Sequence, residues 1–574
     1  MKKPIVPLSV CAWFLITFLG SALAPTQLVA HSAGRTCLTP PTQDRQPCSE
    51  VRVSLLEGGE HTIRIAYHVP AFTIEAVQID GEAYYRPVLQ GQPHTTQKGM
   101  PDLPFVCHSV IIPDDSRMRV RVAGSTFTEY RLPIAPSRGL IPCDVWPGDV
   151  PYEFAEHYAL DEFYPRSIAQ LGSPYTLRDF RGIAVHVHPF AYNPRTQTLR
   201  HYSEIVLEVS DVDPLVSASS GAHNGRCNRF FSSIYGARFL NYEVHRSRTV
   251  PEHGRMIVIS HSSFLDATQP YVNWKRQKGI PTDLYAVEDI GATASDIKAF
   301  IQGEYDADDG LTFVQFVGDA EQIPTFLIER DFCPGLATSD ASYALLDGDD
   351  SYPDIFVGRF SAQTVAEVNT QVERTIHYER DLAEGEWLHK GTGLGSCWGE
   401  GYGYMGLRDR DLVETLRLML LGYTYTEVDQ LYESGDPPGC DSVPTALFVS
   451  AINDGRGIVN AEGHGDCEAT FMIPPGGEYG DLFTADEVYD LLNDYALPFM
   501  SLSVPYVGNF QIDETYAEAW LRARTGSGAP IGAVAVYASS TDLDYASSQA
   551  AQYAMVDLLV TEQMKTVGGL MYNG

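Results

Sequence analysis

The sequence predicts an α/β protein: mostly parallel sheets flanked by helices, arranged as two subdomains and preceded by an all-β module. Three observations carry this. Between residues 48 and 230, short alternating or apolar runs are separated by Pro, Gly and Asp turns, with no sustained helical period. From residue 254 the texture changes to strands separated by helical segments of about 10–15 residues, the pattern of βαβ units. A polar stretch, Ser217 to Asn228, lies between the two textures and marks a linker.

At the amino terminus, Lys2 and Lys3 precede an apolar run from Ile5 to Ala24, with small residues for cleavage at Ala22-Leu23-Ala24 and Ala30. Residues 1–30 read as a secretory signal peptide, which predicts a secreted or cell-surface protein. An uncleaved anchor is the alternative, since the run approaches membrane-spanning length. No later segment is long and apolar enough to span a bilayer. The formal charge of −34 argues against nucleic acid and anionic membrane as partners, because both bind basic surface. Cation binding and basic substrates remain compatible with it.

Of ten cysteines, Cys11 falls in the signal, so an exported chain is left with an odd number and at least one free thiol. Cys37/Cys48 and Cys107/Cys143 are candidate pairs by proximity, but the sequence does not fix the connectivity. No CxxC or His-rich spacing supports a zinc site.

The β module, residues 48–230, contains Val51 to Leu55, Thr62 to Ile65, Val106 to Ile112, Met118 to Val122 and Ile205 to Val209 as strands. Gly99-Met100-Pro101-Asp102-Leu103-Pro104 sits between two of them. The first α/β subdomain, residues 254–385, starts with a strand at Met256 to Ser260 and a helix at Tyr271 to Lys278. A strand at Leu284 to Val287, a helix at Ala294 to Tyr305, and strands at Leu311 to Val317 and Ile355 to Phe360 follow, then a long helix from Val365 to about Asp381. The second, residues 386–574, carries strands at Gly393 to Ser396, Ile458 to Glu462, Leu497 to Val504 and Gly532 to Ser539. Its helices lie around Asp411 to Leu421, Pro444 to Asn453, Tyr516 to Arg524 and Gln549 to Leu559. The last residues, Val567 to Gly574, look turn-like, without a terminal helix, which suggests a truncated product.

Ligands of such sheets bind at the carboxyl ends of the strands. Two apolar runs end in chemistry there. One is Ile458-Val459-Asn460-Ala461-Glu462-Gly463-His464-Gly465-Asp466; the other is Leu497 to Val504 followed by Pro505-Tyr506-Val507-Gly508-Asn509-Phe510. With Val317-Gly318-Asp319, Phe356 to Phe360, Arg374 to Arg380, Tyr516 to Ala523 and Ala535 to Ser540, these segments resemble the gingipain-type cysteine peptidases of the caspase-like clan. The β module, with its Gly-x-Pro-x-Leu-Pro signature, resembles that family's N-terminal pro-domain.

The resemblance implies a caspase-like fold, a peptide or protein substrate or ligand, and a pro-domain lying over the cleft. It implies peptide-bond hydrolysis by thiol attack, with His464 as general acid/base, Glu400 as the acid that orients it and the Gly465 N–H as an oxyanion donor. At the nucleophile position the sequence departs from the family: counting back from Phe510 places Pro505 there. Proline has neither thiol nor N–H, so the resemblance predicts an impaired peptidase, with a peptide-binding or structural role as the alternative. Ser503 and Tyr506 are neighbouring hydroxyls. Cys467 reads as a disulfide partner or buried thiol, with a relocated nucleophile as the alternative, and Cys397 is open in the same way.

Asp542, Asp544 and Tyr545 lie where the family builds one wall of its primary specificity pocket. Asp411, or Asp409 on the same helix, falls near the acid used by arginine-specific members; surface helix acids are the alternative. No cofactor is required for this chemistry. Family members carry structural calcium, and Asp306 to Gly310 (with Asp308 and Asp309) and Asp347-Gly348-Asp349-Asp350 are oxygen-rich turns that suit a hard cation or, equally, simple solvation.

Overall fold

The computed structural model describes residues 36–38 and 51–573, apart from 60, 115, 142–144, 146, 213–230, 246–253, 308–309, 331–334, 383–384, 437–439, 466–471, 474–482, 513, 563 and 565. The expected signal peptide and the linker at 217–228 lie outside these residues. So do Cys467, Cys143 and the side chains of Cys37 and Cys48. Among the described residues no helix is long and apolar enough to cross a membrane.

Strands Arg52–Gly58, Thr62–His68, Met118–Arg131, Phe190–Asn193 and Thr198–Asp211 form an antiparallel sheet. Alternation explains it: Ile63, Ile65 and Tyr67 are fully buried while their neighbours are partly exposed. Met118–Arg131 is much longer than the run expected at 118–122. Its polar second half carries no apolar alternation, and pairing with Thr198–Asp211 is what holds it extended. A second sheet joins Val106–Ile111, Phe180–Val187 and Ala169–Leu177.

The α/β region contains two parallel sheets. The first has the order β2-β1-β3-β4, with β1 (Arg255–Ser260), β2 (Thr282–Ala286), β3 (Leu311–Val317) and β4 (Phe356–Phe360). The second has the order β6-β5-β7-β8-β9, with β5 (Lys390–Gly395), β6 (Glu427–Tyr432), β7 (Ile458–Glu462), β8 (Phe499–Ser503) and β9 (Ala535–Ala538). Every residue of β7 is buried, as expected for a central strand covered on both faces. Helices α1 (Leu265–Gln277), α2 (Ala294–Ala307) and α3 (Val365–Ile376) belong to the first half. Helices α4 (Asp409–Leu421), α5 (Thr445–Asn453), α6 (Tyr516–Arg522), α7 (Tyr545–Val560) and α8 (Val567–Asn573) belong to the second.

Two expectations change here. The single helix expected from Val365 to Asp381 is α3 followed by a π-helical turn at His377–Asp381. The terminus expected to be turn-like is the helix α8, despite its two glycines. Packing overrides their poor propensity: Leu570 is buried, and the Tyr572 hydroxyl exchanges hydrogen bonds with the backbone of Val357.

The two α/β halves are joined through buried polar groups. Arg374 on α3 donates to the carbonyls of Trp520, Ala523, Ile531 and Ala533, and burial pulls its guanidinium down to about 9. Arg522 pairs with Asp319 and Glu518, while Ser361 donates to Glu518. The β module is joined as well. Ile111, Tyr175 and Phe239 share a buried cluster with Phe356, Leu558 and Leu570, and Arg178 donates to the carbonyls of Leu311 and Asp354.

Candidate active site

Register places the site. Gly395 of β5 stands beside Glu462 of β7, which stands beside Ser503 of β8, so three chain segments emerge side by side at the carboxyl end of the sheet. They are Ser396-Cys397-Trp398, Gly463-His464-Gly465 and Val504-Pro505-Tyr506. Ser396 N–H donates to the Glu462 carbonyl at 3.0 Å, and Gly463 N–H donates to that of Ser503 at 3.4 Å.

His464 and Gly465 pair with Ile473 and Met472 in a two-residue antiparallel bridge. The imidazole packs edge-on against Trp398, with ring centroids 5.1 Å apart, and its enclosed Nε2 has no hydrogen-bond partner among the described residues. Burial holds the ring neutral by lowering its pKa to about 4. A neutral imidazole is the form a general base requires.

Pro505 lies against this tip. A Cβ on Gly465 would run into the Pro505 carbonyl oxygen and press on Val507 and Val504. The structure therefore brings Gly465, the residue after His464, against residue 505. After Pro505 the chain turns sharply: Tyr506 takes φ +67°, its hydroxyl bonds the Asp542 carboxylate, and Val507 N–H donates to the Pro505 carbonyl at 2.9 Å. Asn509 Oδ1 accepts from Thr338 N–H at 3.0 Å, fastening this turn to the first subdomain.

Glu400 is elsewhere. Its carboxylate is bonded by Arg408 and is 70% exposed, whereas the His464 Nε2 is enclosed. The structure does not bring the two together. Trp398, two residues earlier, contacts the imidazole instead.

Behind the tips lies a group of buried acids, of which the sequence marks Asp409 as a candidate but not Glu433 or Glu462. Asp409, the first residue of α4, accepts from Ser396 Oγ at 2.5 Å and from Gln549 Nε2 at 2.8 Å, and burial raises its carboxyl to about 7. Glu433 follows β6, accepts from Cys397 N–H at 3.0 Å, and is likewise raised to about 7 by burial. Glu462 ends β7, and burial together with nearby Asp409 pushes it well above the usual carboxylate range. The sequence signal was an acid directly after an apolar strand, at Tyr432-Glu433 and Ala461-Glu462.

The residues expected to bind substrate each take a different partner. Tyr545 is buried beside Gly399, whose φ of +87° lets the loop approach both that ring and Asp409. Asp542 is engaged by Tyr506. Asp544 caps α7 by accepting from Ala546 and Ser547 N–H groups. Asp411 is exposed on α4, so the inward acid of that helix is Asp409, two residues earlier.

Cys397 forms a disulfide with Cys440, and this settles a position that the sequence left open. Cys107 is a free, exposed thiol, which corrects the pairing with Cys143. In the turn at 347–354, Asp350 accepts from the N–H groups of Thr176 and Tyr352, and Asp354 from those of Arg178, Leu346 and Asp347. Among the described residues these carboxylates do not converge as a ligand set; the one close group, Cys397, Glu433 and Cys440, contains the disulfide. Asp308 and Asp309 lie outside the described residues.

The β module reaches the loop that follows β5. Arg86 donates to the Gly401 carbonyl at 2.8 Å, and the Arg138 guanidinium lies between the rings of Tyr152 and Tyr402, 4.4 and 4.5 Å from their centroids.

A parallel α/β sheet that carries a histidine tip beside a second strand tip, under an all-β leading module, has the layout of a caspase-like cysteine peptidase with its pro-domain. The chain belongs to peptidase family C25, whose model matches residues 249–574, and the C25 propeptide model matches residues 42–249. It is similar to gingipain R2 of Porphyromonas gingivalis: 32% identical over 562 residues, covering 95% of this chain and 73% of the relative. Lys-gingipain of the same organism is 25% identical over 420 residues, covering 68% of this chain and 23% of the relative. The crystal structure of the Arg-specific cysteine proteinase gingipain R (RGPB) superposes with a TM-score of 0.50 at 31% identity, covering 57% of this chain and 72% of that one.

Proposed function

We propose that this chain is an exported C25 homologue whose covalent peptidase chemistry is impaired and whose cleft binds peptides. One observation carries the reading: the strand tip against Gly465, the residue after His464, bears Pro505. Thiol catalysis forms an acyl-enzyme from a nucleophile beside the imidazole. Proline supplies no such atom. It also has no N–H, so an oxyanion hole built at this tip lacks one donor, a loss worth about 10²–10³ in rate where measured in other enzymes. The Glu400 carboxylate, held by Arg408, does not restrain the imidazole.

The apolar amino terminus supports export, and the charge of −34 argues against nucleic acid as a partner. The contacts of Arg86 and Arg138 with the loop at 401–402 support a β module that lies along the cleft.

The test compares peptide hydrolysis by the unaltered chain and by Pro505→Cys, each before and after removal of the β module. Hydrolysis gained by the variant alone supports the reading. Equal, substantial activity in both overturns it and would direct attention to Cys467.

A further inference from the structure

Asp409 is a buried carboxyl at the carboxyl end of the sheet, one residue contact away from the histidine. Trp398, which packs on His464, gives its N–H to Ser396 Oγ and accepts at its carbonyl from Asp409 N–H. An acid placed so, beside Gly399 and Tyr545, is the natural anchor for a guanidinium or ammonium, which pairs strongly with carboxylates. In this chain that anchor is taken. Ser396 donates to Oδ2, and the amide of Gln549, itself fully buried, donates to Oδ1 at 2.8 Å. Gln549 is held at its other end too, where its Oε1 accepts from Tyr404 N–H at 2.7 Å. Gly403 closes over it, because any Cβ there would strike the amide. Both carboxyl oxygens thus meet neutral donors.

We propose that Gln549 is a specificity-determining residue of this cleft: its amide occupies the place on Asp409 that a cationic side chain would need, so the cleft receives peptides with an uncharged residue there. The proposal rests on the reading of the cleft as a peptide-binding site and deepens it by naming the ligand class. Removing the amide leaves Asp409 Oδ1 without that donor.

The experiment measures benzamidine binding by calorimetry at pH 8 for the unaltered full chain, Gln549→Ala, Gln549→Met and the Gln549→Ala/Asp409→Asn double variant. The methionine variant keeps the length of the stem while removing the donor, and guards against collapse around alanine. The expected result is no saturable binding to the unaltered chain, at least tenfold tighter binding to one or both single variants, and loss of that gain in the double variant. Three outcomes overturn the proposal: binding by the unaltered chain as tight as by the variants, no gain in either variant, or a gain that survives Asp409→Asn. Hydrolysis by the unaltered chain would instead sink the reading of Pro505 and leave this binding series intact, so the two failures are distinguishable.

Discussion

The Pro505 carbonyl oxygen occupies the space that a side chain on Gly465 would need. The two strand tips therefore touch backbone to backbone, and this contact fixes the distance between the histidine loop and the turn that follows β8. Gly465→Ala must push the tips apart. The expected cost is about 1–3 kcal/mol, as for overpacking of a well-filled interior, read as a lowered urea midpoint. Gly526→Ala is the control, since a Cβ there meets open space and the midpoint is expected to stay unchanged.

His464 makes acid destabilising. Its folded pKa, about 4, lies below the ordinary histidine value near 6.5. The folded state thus resists the proton that the unfolded state accepts. Its contribution is complete above about pH 6.5 and is lost as pH falls from there toward 4. In His464→Asn the drop in unfolding midpoint between pH 7 and pH 4.5 is expected to shrink. An equal drop in both proteins would refute the burial argument.

Asp409 acts in the opposite sense. Its folded pKa, about 7, lies above the ordinary aspartate value near 4, so the folded state holds the proton more tightly. Its contribution is greatest below about pH 4 and declines as pH rises to about 7. Asp409→Asn removes the titration and keeps a group that Ser396, whose hydroxyl can turn to accept, still satisfies. The variant is expected to lose less stability than the unaltered chain between pH 5 and pH 8, by roughly 2–4 kcal/mol. Urea midpoints at the two pH values check this, and parallel slopes would contradict it.

Much of this architecture is legible from periodicity. Alternation at Ile63, Ile65 and Tyr67 and the apolar runs of β1, β3, β7 and β8 are local signals, because the pleat and the buried parallel strand each impose their own pattern. Signals failed where the partner was distant. The polar half of Met118–Arg131 is extended because Thr198–Asp211 pairs with it, and α8 forms because Leu570 and Tyr572 find a surface to pack on. At the site, His464 between two glycines and Pro505 before a turn could be named from the sequence. Glu433 and Glu462 could not, since an acid after an apolar run looks the same whether it will face solvent or lie buried, and Gln549 follows a polar stretch with no signal of its own.

The sequence by itself determined the order of strands and helices, the tips at which chemistry could sit, and the absence of a thiol at position 505. Those are properties of residue type and spacing. The tertiary structure alone decided which groups meet: Trp398 rather than Glu400 on the imidazole, Asp409 rather than Asp411 turned inward, Cys397 joined to Cys440, and Gln549 on the buried acid. Each of those choices depends on sheet register and helix rotation, which place residues far apart in the chain within hydrogen-bonding distance and have no local signature.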